Sequence, residues 1–94
     1  FMWYVYILEC CDSSFYVGYT GNIKQRVAVH NTGRGAGYTA ARLPVKLVWH
    51  EECSNKAQAV QREHQIKKWS RAKKMALVSG DFDKLHKLAK RQKT

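Results

Sequence analysis

Five residues of this 94-residue chain have side chains that together could hydrolyse a phosphodiester bond. They are Tyr6, Tyr16, Arg26, His30 and Glu63. Such a reaction needs an activated water, a cation beside the developing phosphate charge and a carboxylate that can hold a metal ion. Tyrosine and histidine can accept protons, arginine supplies charge, and glutamate binds metals. The set therefore predicts a nuclease site, provided that folding brings these side chains together.

The two tyrosines fall in segments that are typical of β-strands. Residues 3–10 and 15–20 are rich in aromatic and β-branched side chains, and residues 12–14 (Asp-Ser-Ser) favour a turn between them. The pattern therefore predicts a β-hairpin. It does not fix the register of the two strands, which decides whether Tyr6 and Tyr16 meet on one face.

The following segment predicts a helix that carries Arg26 and His30. Asn22 can cap this helix, and Ile23, Val27 and His30 recur at the spacing of one helical face. Arg26 and His30 lie four residues apart, so their side chains should project from the same helix surface.

A glycine-rich loop and a third strand are predicted next. Residues 33–37 (Gly-Arg-Gly-Ala-Gly) suit a flexible basic loop, in which Arg34 could approach a phosphate. A plain turn is the commoner interpretation, because the spacing of a phosphate-binding loop is absent. Residues 43–53 then alternate apolar and polar side chains between Val45 and Trp49, which predicts a strand.

Glu63 falls in the apolar stripe of a predicted helix, between Val60 and Ile66. Its carboxylate should face the core and needs a partner to offset the loss of hydration. Two explanations remain open at this point. The glutamate could form a structural salt bridge, or it could bind a metal ion.

Positive charge is concentrated in the second part of the chain. Residues 1–61 carry six Lys/Arg against four Asp/Glu, a net of +2, whereas residues 62–94 carry eleven against three, a net of +8. Residues 70–80 and about 81–91 are predicted as capped helices, the last one basic. A basic helix is about as often a merely solvated surface as a binding site for a polyanion, and here the candidate catalytic residues favour the polyanionic partner. The candidate nucleic-acid contacts are Arg34, Arg42, Lys67, Lys68, Arg71, Lys73 and Lys74.

Length and composition are compatible with one domain, residues 1–94, whose core spans about residues 3–79. The apolar run at residues 1–8 is much shorter than the roughly 18 residues of a membrane span, so we expect no membrane partner. Three cysteines without a Cys-x-x-Cys spacing predict reduced thiols and a cytoplasmic protein, with zinc binding as a minor alternative. A monomer is the expected state.

The order and spacing of four segments resemble the GIY-YIG nuclease family. Residues 4–6 (Tyr-Val-Tyr) and 16–18 (Tyr-Val-Gly) stand where the family has its two tripeptides. Residues 22–30 are similar to its arginine-bearing helix, and residues 59–67 to its glutamate-bearing helix. The loop at residues 30–39 resembles that of the small stand-alone members. The chain is also similar to the N-terminal catalytic domain of the excision repair endonuclease.

This resemblance implies an α/β domain, a three-stranded antiparallel sheet flanked by helices, with both tyrosines on the active-site side. It also implies roles for the site residues. Glu63 would bind Mg²⁺ or Mn²⁺, Arg26 would stabilise the transition state, and Tyr6 would activate water with assistance from Tyr16. His30 is the rival base, because a histidine titrates near neutrality without special help.

Two departures from the family pattern predict slow turnover or an unusual substrate. No asparagine follows Glu63, although several members use one near the site, and Tyr19 stands where others carry a lysine. The expected function is a metal-dependent endonuclease that acts on DNA, with RNA as a second candidate, in DNA repair or processing. The alternative is a non-catalytic module on the same fold that binds nucleic acid or docks a partner.

Overall fold

A three-stranded antiparallel sheet forms the centre of the molecule, and helices cover both of its faces. The computed structural model describes residues 2–91, and the side-chain surroundings of residues 2–87. The elements are β1 (Trp3–Glu9), β2 (Phe15–Thr20), α1 (Ile23–Asn31), α2 (Gly37–Ala40), β3 (Lys46–Cys53), α3 (Lys56–Lys67), α4 (Arg71–Ser79) and α5 (Phe82–Arg91). The strand order is β2-β1-β3. The predicted fold class is therefore confirmed.

The register of the hairpin places both site tyrosines on one face of the sheet. Tyr6 lies opposite Gly18, and Leu8 lies opposite Tyr16 in the antiparallel β1–β2 pair. Tyr16 is therefore a diagonal neighbour of Tyr6, two positions along the strand, and both side chains point the same way. This settles the register that the sequence pattern left open.

The two faces of the sheet have separate hydrophobic clusters. On one face Val5 and Ile7 of β1 pack with Ile66 of α3 and Leu77 of α4. The opposite face carries the site tyrosines, together with buried Leu8 and Val45 and the partly buried Val27 of α1. Two helix systems consequently approach the sheet from opposite sides, α1 on the tyrosine side and α3 with α4 on the other.

Polar caps fix where the helices begin. The side chains of Asn22, Asn55 and Ser70 each accept a hydrogen bond from a backbone N–H in the first turn of α1, α3 and α4. Gly80 ends α4 in a left-handed conformation with φ of 76°, which a glycine adopts without steric cost. Within residues 2–91, no helix combines the length and the apolar character needed to cross a membrane.

The structure differs from the sequence expectations between residues 33 and 46. The glycine-rich segment does not remain a loop throughout, because the one-turn helix α2 follows it, with Ala40 N–H donating to the carbonyl of Ala36 at 2.9 Å. The strand β3 starts at Lys46 rather than at residue 43. The Asn31 side chain holds both backbone groups of Val45, at 2.9 and 3.0 Å, in place of a neighbouring strand.

Candidate active site

The Tyr6 ring lies across Gly18 of the edge strand β2. A Cβ atom on Gly18 would come within 2.5 Å of the Tyr6 hydroxyl oxygen and 2.6 Å of the ring carbon that bears it. Any side chain at position 18 would therefore displace the tyrosine. Because Gly18 has no side chain, the hydroxyl of Tyr6, which lies on the central strand β1, can reach toward the β2 edge of the sheet.

Tyr16 forms the second part of an aromatic cluster around Tyr6. The centroids of the two tyrosine rings are 6.5 Å apart, and the Tyr16 ring meets the His30 ring at 5.1 Å in an edge-on arrangement. The exposed Tyr38 ring stacks against Tyr16 from outside at 6.2 Å. Tyr16 thus links the buried part of the site to the protein surface.

His30 is completely buried and joins Tyr6 to the loop after α1. Its Nε2 lies 2.9 Å from the Tyr6 hydroxyl, and its Nδ1 lies 2.8 Å from Oγ1 of Thr39. Burial lowers the pKa of His30, and the positive charge of Arg26 lowers it further. The imidazole is therefore neutral at pH 7. Because none of its surface is exposed, it can act on a substrate only through Tyr6.

Arg26 lies one turn before His30 on the same face of α1 and acts directly on Tyr6. Burial raises the pKa of Tyr6 above its ordinary value, while a hydrogen bond from the Arg26 side chain opposes that rise. Negative charge on Tyr16 or Glu63 raises the pKa as well. With this balance, Tyr6 remains protonated at neutral pH. Only 1% of its surface is exposed, so a substrate can meet the hydroxyl only after neighbouring side chains shift.

Glu63 is carried by α3, which packs on the face of the sheet opposite the site tyrosines. It is 6% exposed, and one carboxylate oxygen, Oε1, lies 3.5 Å from Nζ of Lys67 and 3.7 Å from Nε2 of His64. Both distances exceed those of a charge-assisted hydrogen bond, so the ion pairs are loose. The charge of Glu63 is the smallest of the effects that raise the pKa of Tyr6. The loose ion pairs of Glu63 therefore do not prevent its carboxylate from acting on the tyrosine.

The surroundings of Glu63 fit a cation that takes a single protein ligand. No cluster of three or more His, Cys, Asp or Glu side chains with metal-binding geometry occurs in the described part of the chain. Mg²⁺ commonly keeps several waters and is held by one or two carboxylates together with substrate phosphates. A nearly buried carboxylate with only loose partners can accept such a cation.

A shallow groove of about 180 Å³ runs beside the edge strand next to these residues. Its lining residues are Phe15, Tyr16, Val17, Tyr38, Lys67 and Lys74. Partial burial lowers the pKa of Lys74, and the nearby charge of Lys67 lowers it further. Two ammonium groups thus share one small depression and favour an anion there. Two larger depressions, of about 570 and 520 Å³, contain none of the five candidate residues.

The structure separates the seven predicted nucleic-acid contacts into exposed and engaged side chains. Besides Lys67 and Lys74, which line the groove, Arg34, Lys68 and Arg71 are exposed. Arg42 instead pairs with Asp12 at 3.1 Å and lies 3.8 Å above the centroid of the Tyr38 ring. Its guanidinium therefore supports the aromatic cluster from outside.

Lys73 does not belong to an exposed surface. It is 6% exposed, and its ammonium lies 4.1 Å from the centroid of the Trp69 ring. Burial lowers the pKa of this lysine. The sequence pattern places Lys73 in a basic run, but the helix turns this position inward, so we do not retain it as a phosphate contact.

Sequence reasoning did not identify Thr39, which is fully buried and bonded to His30. The two residues are nine positions apart, a separation that matches no helical or strand period, so spacing gives no signal. The glycines at positions 33 and 35 were the available hint, because they allow the chain to fold back closely over the preceding helix. Tyr19, the other departure noted above, packs near Trp3 on the opposite face of the sheet.

Comparisons with known proteins match the chain to one protein family. The family model described as the GIY-YIG catalytic domain matches residues 2–76. A UPF0213 protein of Natronomonas pharaonis is 53% identical over 78 residues, 83% of this chain and 92% of the relative. A UPF0213 protein of Staphylococcus haemolyticus is 49% identical over 75 residues, 80% of this chain and 92% of the relative.

Two solved structures share the fold. The solution NMR structure of a UPF0213 protein from Bacillus halodurans has 44% identity and a TM-score of 0.54, and the match covers 84% of each chain. A solution NMR structure of a protein from E. faecalis has 35% identity and a TM-score of 0.58, covering 87% of this chain and 88% of the other. The chain belongs to the GIY-YIG catalytic-domain family, among its small UPF0213-like members.

Proposed function

We propose that this protein is a metal-dependent endonuclease that hydrolyses phosphodiester bonds in DNA, with RNA as the second substrate to test. The observation that carries the proposal is the position of the Tyr6 hydroxyl. It lies 2.9 Å from the ring nitrogen Nε2 of His30, and the Arg26 side chain lowers its pKa while the charge of Glu63 raises it. Packing alone does not require this combination of groups.

Tyr6 and His30 act in series, which removes the need to choose between them as rival bases. The attacking water gives a proton to the Tyr6 oxygen while Tyr6 passes its own proton to Nε2 of His30, 2.9 Å away. The water oxygen bonds to phosphorus as the bond from phosphorus to the leaving oxygen breaks, and the leaving oxygen takes a proton from solvent. Tyr6 never has to persist as a phenolate, which its raised pKa would disfavour.

Arg26 stabilises the negative charge that develops on the phosphoryl oxygens. A guanidinium that is carried by a helix beside the site needs little reorganisation when the charge forms. Glu63 would hold the divalent cation, Mg²⁺ or Mn²⁺, which would supply positive charge beside the phosphate.

Lys67 and Lys74 guide the substrate backbone into the groove beside β2. Their charges are close enough for one to lower the pKa of the other, so a phosphate between them relieves repulsion as well as gaining attraction. The exposed Lys68 and Arg71 extend the same basic surface along the start of α4. Contacts of this kind bind the backbone and carry no base sequence.

The Glu63→Gln variant tests the proposal at nearly constant side-chain size. Metal-dependent cleavage should disappear across single-stranded, duplex, flap and branched DNA, because the amide does not bind a divalent cation as a carboxylate does. Affinity for the same DNA in EDTA, measured by fluorescence anisotropy, should stay nearly unchanged since the basic groove is intact. Glu52→Gln, at an exposed carboxylate of β3, is the matched control and should cleave like the parent.

The same experiment separates an enzyme from a binding module. If folded Glu63→Gln cleaves as the parent does, the cleavage comes from a contaminant or from another site. The non-catalytic alternative, which needs the fold and the basic surface but no metal ligand, would then replace the nuclease assignment.

A further inference from the structure

The segment between α1 and α2 folds back over the His30 ring. A Cβ atom on Gly35 would come within 2.8 Å of the ring carbon Cγ and 3.0 Å of the backbone Cα of His30. Gly33 turns the chain toward this contact with a φ of 81°. The glycines therefore allow the backbone to close over the imidazole, and Thr39 of α2, which follows the segment, reaches its Nδ1.

The hydrogen bonds of Thr39 indicate which ring nitrogen of His30 carries the proton. Oγ1 of Thr39 lies 3.0 Å from the carbonyl oxygen of Ala36, and a carbonyl can only accept. Thr39 therefore donates its single proton to Ala36. The lone pair that remains faces Nδ1 of His30 at 2.8 Å, so Nδ1 is the donor in that contact.

The contacts of Tyr6 point to the same tautomer from the other side of the ring. The Arg26 side chain, whose charge and hydrogen bonding lower the pKa of Tyr6, has only donors and so offers the Tyr6 proton no acceptor. The proton of Tyr6 must then point elsewhere, and Nε2 of His30 is the acceptor 2.9 Å away. A neutral imidazole has one N–H, so protonation at Nδ1 and a free lone pair at Nε2 satisfy both ends together.

We propose that Thr39 is a positioning residue that holds His30 in the Nδ1–H tautomer and thereby keeps Nε2 ready to accept the proton of Tyr6. The resulting chain of hydrogen bonds runs from Tyr6 through His30 and Thr39 to the carbonyl of Ala36. The catalytic consequence rests on the proposed nuclease function. The tautomer itself does not, because it follows from hydrogen bonds that exist without substrate.

Nitrogen chemical shifts of the His30 ring in an isotope-labelled sample test the assignment directly. The parent should show a protonated Nδ1 and an unprotonated Nε2 at neutral pH. Thr39→Val removes the acceptor at nearly constant shape and should shift the ring toward the opposite tautomer, because Nδ1–H would otherwise lose its partner. Thr39→Ser restores the hydroxyl and should restore the parent spectrum. Thr32→Val, which removes an exposed hydroxyl outside the chain of bonds, should leave it unchanged.

Cleavage kinetics test the consequence for the reaction. Thr39→Val should lower kcat by about tenfold or more with KM nearly unchanged, because the substrate groove is untouched while the proton acceptor is lost. Thr39→Ser should recover most of the loss. Full activity in a Thr39→Val protein whose His30 tautomer has changed would overturn the positioning role.

The two proposals fail in different ways. A parent spectrum with a protonated Nε2 overturns the tautomer assignment, whether or not any variant folds. A parent protein that has the proposed tautomer but cleaves no nucleic acid overturns the nuclease function and leaves the Thr39 assignment supported.

Discussion

Gly18→Ala is the substitution that most directly tests how the sheet positions Tyr6. The new Cβ would lie 2.5 Å from the tyrosine hydroxyl oxygen, whereas ordinary van der Waals contact begins near 3.4 Å. The hydroxyl must therefore move by about 1 Å if the contact is to relax. A shift of that size breaks or lengthens the 2.9 Å hydrogen bond to His30.

The expected loss in the chemical step is about a hundredfold, since a displacement of about 1 Å in a catalytic group has that order of effect. This corresponds to about 2.7 kcal/mol in the activation barrier. Overpacking should also lower the free energy of unfolding by about 1–3 kcal/mol. Both effects originate in one steric contact, and single-turnover cleavage together with urea denaturation measures them separately.

Gly37→Ala provides the matched control, because a Cβ at that position meets no atom within 4 Å. It should change neither the cleavage rate nor the stability appreciably. Combining Gly18→Ala with Tyr6→Phe should add little to the loss caused by Tyr6→Phe alone, because both changes act on the same hydroxyl. Parent-like cleavage by a folded Gly18→Ala protein would refute the reasoning that the glycine sets the position of Tyr6.

Two further predictions concern salt and pH. Replacing Lys67 and Lys74 by Met should make the plot of log affinity against log salt concentration less steep, by about 1.8 on duplex DNA and about 1.4 on a single strand. Fluorescence anisotropy measures the affinity at each salt concentration. An unchanged slope would place the phosphate contacts elsewhere. The pKa of His30 is lower in the folded protein than the value of about 6.5 expected in the unfolded chain. Neutral His30 therefore contributes its full stabilisation above about pH 6.5, and this stabilisation is lost as the pH falls through the pKa of the folded state. Urea denaturation should therefore show a weaker loss of stability on acidification in His30→Gln than in the parent.

The parts of the fold that follow from local pattern could be predicted from the sequence. The aromatic and β-branched segments that form β1 and β2 and the polar caps at Asn22 and Ser70 each depend on a few neighbouring residues, and these features appear as expected. The convergence of Tyr6 and Tyr16 could be expected only through the family resemblance. Their meeting depends on strand register, which local pattern leaves free.

The remaining features depend on tertiary contacts that leave no period in the sequence. The Thr39–His30 bond forms because two glycines let the chain reverse, and nothing in composition distinguishes this threonine from an exposed one. Lys73 and Arg42 have the same side-chain charge as their exposed neighbours, but packing against Trp69 and pairing with Asp12 engage them in the structure. Charge could therefore be counted from the sequence, whereas the share of it that faces a substrate could not.

The groove lysines have another physical consequence, because β2 is an edge strand of the sheet. An edge strand presents backbone N–H and C=O groups that can pair with a second copy of the chain, and positive charge beside it disfavours that pairing. Lys67 and Lys74 lie next to Phe15 and Val17 of this strand. Removing the charges of Lys67 and Lys74 therefore weakens the repulsion that opposes self-association, as well as the attraction for phosphate. Light scattering at low salt should then show larger species in the Lys67/Lys74 double variant than in the parent.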